Sequence, residues 1–350
     1  MENDIGNNLK RVRLLKNLSL KEASRLLNMS ATAVQKYEKG ELLLDSTKLI
    51  KFADAYGVKC SDFLISYNLP QMQFTSFRKK KRLKGIKLDL LKTTIQEEIA
   101  KYLLVLNYNN IDTTLIKLKK YLCSSEQDAE QIANNFRIEH ELSMRQPIYD
   151  ITNTLENLGI LIVPIRNINN MFSDFDGLSE IVNGVPVIVL LDDIKDGARQ
   201  RFTIAHELGH LLLDVKNKNL DEEKLCNRFA SALLMPKDSV LMEFGSSRKY
   251  ISLFELKAFK EEYKVSFSAI VYRLKDLKII SNYQNRILNI NINKFIGKND
   301  NNPIEPEITN QFKKLVYKLQ SEDIISIGKA RELLGVSANE YEQENNNYRH

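Results

Sequence analysis

The stretch Arg201–Asp214, RFTIAHELGHLLLD, limits what this chain can become more than any other. Phe202, Ile204, Leu208, Leu211, Leu212 and Leu213 make it apolar nearly all round, so as a helix it must be covered on most sides. A covered helix cannot carry polar side chains without partners, because each unpaired buried polar group costs roughly 1–3 kcal/mol. His206, Glu207 and His210 nonetheless stand in its middle. The two histidines are four residues apart and lie one above the other on the same face, where both imidazoles reach one metal ion. A cation supplies the missing partner. The chain has only four histidines and half of them fall in this pattern, which argues against chance.

Glu207, beside the first histidine, is placed to take a proton from an activated water and return it to a leaving amine, the general-base role in zinc peptidases. Catalytic zinc takes three protein ligands and keeps an open position for water. The metzincin continuation is absent, since Leu213 and Lys216 stand where its glycine and third histidine would be. A carboxylate from a second helix is the alternative, and Glu223–Pro236, EKLCNRFASALLMP, reads as that helix, stopped by its proline. Glu223 is the expected third ligand. Asn227, four residues on, is set to hydrogen-bond a ligating histidine. Glu222, Asp221 and Asp214 compete for the ligand role, and an acidic helix start that complements the macrodipole is the simpler reading of all three.

A chain of 350 residues has room for two or three domains, and 43% hydrophobic with 27% charged residues marks it as globular. No apolar run has the length of a transmembrane helix, and MENDIGNNLKR lacks the apolar core of a signal peptide, so a cytoplasmic protein with no membrane partner is expected. Cys60, Cys123 and Cys226 are odd in number and far apart, which fits a reducing compartment and not a disulfide framework. The net charge of +6 is mild, so the placement of basic residues matters more than their sum.

Residues 4–66 read as five short helices with the spacing of a helix-turn-helix domain. Ile5–Leu15 comes first, basic on its outer side through Lys10, Arg11 and Arg13. Leu20–Leu27 follows, with Ala23 allowing close approach. Asn28-Met29 makes the turn, Ser30 caps Ala31–Lys39, and Gly40 ends that helix. SLKEASRLLNMSATAVQKYEKG resembles the XRE-type, phage repressor-like helix-turn-helix family over both central helices. The resemblance implies binding of double-stranded DNA, with Ala31, Thr32, Gln35 and Lys36 facing base edges and phosphates in the major groove. Ala31 stands where the family often has glutamine.

After Tyr67 the run Arg78-Lys-Lys-Lys-Arg82-Leu-Lys84, with Lys87, reads as a basic linker or helix face able to touch nucleic-acid backbone. Ile86–Leu106, Asp112–Cys123 and Ser124–Phe136 read as helices, and His140 as a structural histidine. From Pro147 the pattern is mixed: Ile148–Leu158 helical, Gly159–Ile165 a strand, and Leu178–Val182 with Val185–Leu191 a hairpin around Asn183-Gly184. Such a hairpin is the candidate strand edge for an extended substrate. YDITNTLENLGILIVPI, FDGLSE, VPVIVL, ARQRFTIAHELGHLLLD and EKLCNRFASALLMP together resemble, in order and spacing, the ImmA/IrrE metallopeptidases, a family often joined to an XRE domain. That resemblance implies His206, His210 and Glu223 as zinc ligands and Glu207 as catalytic base. Leu225 departs from it, since many relatives carry a second acid there. Leu288–Asn293 alternates as one short strand before Asn301-Asn302-Pro303, then Glu307–Gln320 and Ser326–Leu334 are amphipathic helices, and Glu342–His350 reads as frayed.

The expected fold is therefore α+β and mostly helical, an all-α helix-turn-helix domain followed by a zincin-like domain with a small antiparallel sheet. Its segments are residues 1–67 (DNA-binding), 68–129 (basic linker and helical segment), 130–285 (zinc metallopeptidase-like) and 286–350 (helical C-terminal region). The expected function is that of a DNA-binding regulator with a zinc-dependent, gluzincin-like endopeptidase. It would cleave a protein substrate, typically an XRE-type repressor in this family, to control a mobile element or stress response. The competing reading is a DNA-binding regulator whose peptidase-like domain is a non-proteolytic sensor. Self-cleavage in the basic linker is a third. A homodimer is compatible with each.

Overall fold

The computed structural model describes residues 2–64, 69–74, 85–113, 118–295 and 303–347. They belong to two units, Met1–Leu104 with Asn167–Phe175, and Val105–Arg166 with Asp176–His350. The basic run 78–84 lies outside the described residues; Lys87 is exposed.

In the first unit four helices and a short 3-10 turn follow one another: α1 (Glu2–Leu15), α2 (Leu20–Leu27), α3 (Ala31–Glu38), α4 (Ser46–Tyr56) and Cys60–Phe63. Side-chain caps fix where they start. Ser19 and Glu22 form a reciprocal capping box on α2, Ser30 accepts from Ala33 N–H at 3.1 Å on α3, and Asp45 accepts from Lys48 N–H at 2.8 Å on α4. Asn28, in the left-handed region at φ 50°, turns α2 into α3. Leu9, Ala23, Leu27, Val34, Tyr37, Phe52 and Phe63 close a small core. At Gly6 the backbone of α3 comes so near that a Cβ would meet Tyr37 O at 2.8 Å, so α1 needs glycine there.

The first helix is not basic on its outer side in the way its sequence suggests. Arg13 is buried, and its guanidinium pairs with Glu38 through two bonds of 2.5 and 2.9 Å. Arg11 is also buried, donates to Asp62 O at 2.5 Å and faces Glu97 at 3.2 Å, Glu97 lying on α5 (Ile86–Tyr108). A guanidinium that meets a carboxylate through two parallel bonds keeps its donors satisfied out of water, and sequence spacing does not reveal such a partner.

The second unit holds β1 (Tyr121–Leu122), α6 (Glu126–Glu139), α7 (Ile151–Asn157), β2 (Leu161–Ile165), β3 (Leu178–Val182), β4 (Val185–Leu191), α8 (Gly197–Leu212), β5 (Leu213–Asp214) and α9 (Glu222–Leu234). Among the described residues seven helices complete it: α10 (Lys237–Phe244), α11 (Leu253–Tyr263), α12 (Phe267–Asp276), α13 (Asn282–Phe295), α14 (Gln311–Ser321), α15 (Ile327–Leu334) and α16 (Ala338–Asn347). The α+β, mostly helical class holds. The three-stranded sheet is mixed, however, not antiparallel: its order is β2-β4-β3, with β2 parallel to β4 and β3 antiparallel to it. Val185–Leu191 is buried at every position, the mark of a central strand covered on both faces, and the long connection between β2 and β3 lets β2 return in parallel. The hairpin pairs Val182 with Val185, and Asn183 and Gly184 have φ of 51° and 84°, the left-handed pair a tight hairpin turn requires.

Three other expectations are corrected. Leu288–Asn293 is helical, inside α13: Leu288 and Ile292 are buried four residues apart, and packing against α12 decides between two periods that so short a run cannot separate. Within Asp112–Cys123, Tyr121-Leu122 is a strand that pairs in parallel with Leu213-Asp214, and residues 114–117 lie outside the described ones. Glu342–Asn347 is helical, part of α16, whose Tyr341 is buried and stacked on Tyr317, and residues 348–350 lie outside the described ones. The expected boundaries 129/130 and 285/286 fall inside α6 and α13. His140 ends α6 with its ring edge-on to Phe136, a structural place.

Candidate metal centre

Two helices build the centre. Asp196 caps α8 by accepting from Ala198 N–H at 3.0 Å, and Asp221 caps α9 by accepting from Lys224 N–H at 3.3 Å. Ile204, Ala205, Leu208, Leu211 and Leu212 sink one face of α8 into the main core beside Cys226, Phe229, Leu233 and Leu234 of α9. The helices touch at Gly209, where a Cβ would stand 3.3 Å from Cys226 Cα. That close crossing sets Glu223 against the two histidines.

His206 Nε2 lies 3.3 Å from one Glu223 oxygen and His210 Nε2 lies 3.5 Å from the other. One donor atom from each of His206, His210 and Glu223 fits within a cluster 4.8 Å across. The far ring nitrogens are held too. His206 Nδ1 is 2.9 Å from Asn227 Oδ1, and His210 Nδ1 is 3.0 Å from Glu222 Oε1. With a cation between the Nε2 atoms and Glu223, each imidazole would keep its proton on Nδ1 and donate it, His210 to Glu222 and His206 to the Asn227 carbonyl. Donors about 2.0–2.1 Å from a tetrahedral zinc lie about 3.3–3.4 Å apart, close to the 3.3 and 3.5 Å that separate each Nε2 from a Glu223 oxygen, and two imidazoles with a carboxylate are a donor set that suits this ion.

Charge points the same way. Burial opposes a charged His210, while Cys226, Glu223 and Glu207 around it favour one, and the balance lies toward the imidazolium. His206 and then His210 hold the Glu223 carboxyl well below the usual carboxylate range. Burial pushes the Cys226 thiol up. Glu207 is 3% exposed, and its Oε2 accepts from the Ser179 hydroxyl on β3 at 2.8 Å. Gly177 leaves room for it, since a Cβ there would stand 3.0 Å from Glu207 Oε1.

Sequence reasoning named His206, Glu207, His210, Glu223 and Asn227, and all five meet here. Of the competitors, Glu222 holds His210, Asp221 is a cap, and Asp214 sits 3.5 Å from Lys216. Ser179 and Gly177 were missed as parts of the centre. Both stand in FDGLSE, but the bond from Ser179 to Glu207 spans 28 positions of chain and no local pattern encodes it. In the first unit Ala31, Thr32, Gln35 and Lys36 are all exposed on α3, while Val34 and Tyr37 face the core.

Residues 155–275 match the Peptidase M78 family, described as the IrrE N-terminal-like domain. Residues 9–63 match a helix-turn-helix family. The chain joins a helix-turn-helix DNA-binding domain to an IrrE-like metallopeptidase-like domain. The IrrE-like match contains both histidines, Glu207 and α9, and the family implies a metal cofactor. Comparison with curated proteins finds no match. Among solved structures, a crystal structure of the Streptococcus dysgalactiae SHP pheromone receptor Rgg2, carrying a single cysteine-to-serine substitution, aligns with 94% of this chain and 97% of that one at 11% identity. Its TM-score is 0.16, which says nothing about this fold. Among the described residues no helix is long and apolar enough to cross a membrane.

Proposed function

We propose that this protein is a DNA-bound cytoplasmic regulator whose IrrE-like domain is a zinc-dependent endopeptidase acting on a protein substrate, an XRE-type repressor. The observation that carries the reading is the meeting of His206, His210 and Glu223 beside the buried Glu207. His206, His210 and Glu223 would hold the zinc, with Asn227 and Glu222 fixing the imidazoles. Zinc, when bound, lowers the pKa of a water and polarises the scissile carbonyl. Glu207 takes the proton of the attacking water and passes it to the leaving amine. The Ser179 hydroxyl holds one Glu207 oxygen, which fixes the carboxylate for both transfers. β3 borders the sheet and is the edge to which an extended substrate adds through its backbone. Ala31, Thr32, Gln35 and Lys36 contact DNA, and a homodimer would match paired half-sites.

A second reading, a sensor that does not cleave, draws on the same burial of Glu207, which leaves it 3% exposed. One variant separates the two. Glu207→Gln keeps the shape and the Ser179 partner but cannot take a proton. We expect it to retain zinc and DNA binding and to lose cleavage of a repressor encoded beside the gene. Full regulatory activity of Glu207→Gln in cells would reject the peptidase reading in favour of the sensor.

A further inference from the structure

Residues 303–310 form neither helix nor strand and cross the first turn of α8. Their main chain is read as a strand would be. Gly197 N–H donates to Ile304 O at 2.8 Å, Glu307 N–H donates to Gln200 Oε1 at 2.7 Å, and Gln200 Nε2 donates back to Glu307 O at 3.0 Å. The fit is close. A Cβ on Gly197 would stand 2.8 Å from Ile304 O and nearer still to Glu305 O.

A side-chain pocket completes the site. The Glu307 carboxylate accepts from Arg201 Nη1 and, at 2.8 Å, from Thr152 N–H in the first turn of α7. Arg201 is fully buried, its Nη2 donates to Ile148 O at 2.5 Å, and its Nη1 reaches Tyr149 O at 3.4 Å. A guanidinium so enclosed demands an anion. Beyond the pocket, the buried Glu156 of α7 faces the Asn310 and Gln311 N–H groups at the start of α14.

We propose that α7 and the first turn of α8 are a second peptide-binding site, apart from the metal centre, for an extended protein segment bearing glutamate. The chain fills it with its own Ile304–Glu307, and a partner presenting a like segment docks by taking that place. Three of the contacts go to main-chain groups and two to one carboxylate, so nothing in the recognition requires that the segment be in cis. The resident segment wins because it belongs to the same chain, which makes its binding intramolecular. Arg201 lies five residues before His206 on one helix, so exchange occurs on the element that carries the metal ligands. The proposal stands whether or not the domain cleaves peptides.

The test uses the full-length chain and a fluorescein-labelled peptide with the sequence of residues 303–309, PIEPEIT. Glu307→Ala empties the carboxylate pocket. This variant should bind the peptide at least about tenfold more tightly than the wild type by anisotropy, about 1.4 kcal/mol. The peptide with glutamine at the position of Glu307 should bind at least about tenfold more weakly. On the wild type, millimolar peptide should speed hydrogen exchange at the Glu307 amide while Gly197 N–H stays protected. The proposal is overturned if a folded Glu307→Ala protein, with unchanged zinc content, does not bind the peptide. If that variant does not fold, the exchange experiment decides, and an unaltered Glu307 amide rejects the site.

Discussion

Zinc affinity in variants of α9 gives the sharpest test of the centre, because neighbouring residues have distinct jobs there. Asn227→Ala removes a neutral acceptor 2.9 Å from His206 Nδ1, a bond of about 1 kcal/mol, so affinity should fall roughly fivefold. Glu222→Ala removes a charged acceptor 3.0 Å from His210 Nδ1. Bonds to charged groups contribute about 1.5–3 kcal/mol. The Glu222 side chain is 34% exposed, so solvent screening favours the lower end, or roughly a tenfold loss. Glu223→Ala deletes a proposed ligand and should exceed about a hundredfold, the upper range for residues behind the ligands. Asp221→Ala is the control, since that side chain caps α9 and does not touch a histidine. Competition with a chromophoric chelator at one pH reads all four. The reasoning is refuted if Asp221→Ala weakens zinc as much as Glu222→Ala, or if Glu223→Ala keeps wild-type affinity.

Glu38→Ala should destabilise the first unit by about 3–5 kcal/mol in urea unfolding, because it strands the buried Arg13 charge; a change below roughly 1 kcal/mol, the range of a surface pair, would contradict the burial. Gln35→Ala with Lys36→Ala should weaken operator binding and leave zinc content unchanged, measured by gel shift and metal analysis. Burial raises the carboxyls of Glu97 and Glu156 to about 7, against Arg11 for the first and the Asn310 and Gln311 N–H groups for the second. Raised carboxyls make the folded chain bind protons more tightly than the unfolded one, so their contribution is greatest at low pH and is lost as pH climbs toward 7. Each is on the order of 3 kcal/mol over that window. Urea midpoints should fall from pH 5 to pH 8, and Glu156→Gln should flatten part of the fall; an opposite slope sinks the assignment.

Local chemistry was legible in the sequence where one element carries it. The Asn183-Gly184 hairpin, the Ser30 cap, and the histidine spacing on α8 each depend on residues a few positions apart. What depends on distant partners was not legible. Arg13 reads as a surface base until Glu38, 25 positions away, is seen to enclose it. Ser179 reads as a strand hydroxyl until α8 sets Glu207 against it. Leu288–Ile292 satisfies two periods, and only the neighbouring helix chooses. Pro303–Asn310 reads as turn and helix start, and its pairing with Gln200 and Arg201 crosses more than 100 positions of chain.

The electrostatics of α8 and α9 decide what the centre is built to hold. Glu207, Glu222 and Glu223 converge on two imidazoles, and Glu207 is almost fully buried. Three acids around neutral histidines would leave negative charge in a site partly shut off from water, a costly arrangement. One remedy is a proton on His210, toward which its surroundings already lean. A divalent cation between the Nε2 atoms and Glu223 answers the same charge better, since it leaves both Nδ1 atoms protonated and donating to Asn227 and Glu222, and replaces one positive charge by two. Cation and proton then compete for His210, so affinity for zinc must fall as pH is lowered. A centre whose zinc affinity was indifferent to acid would mean that His210 is not among its ligands.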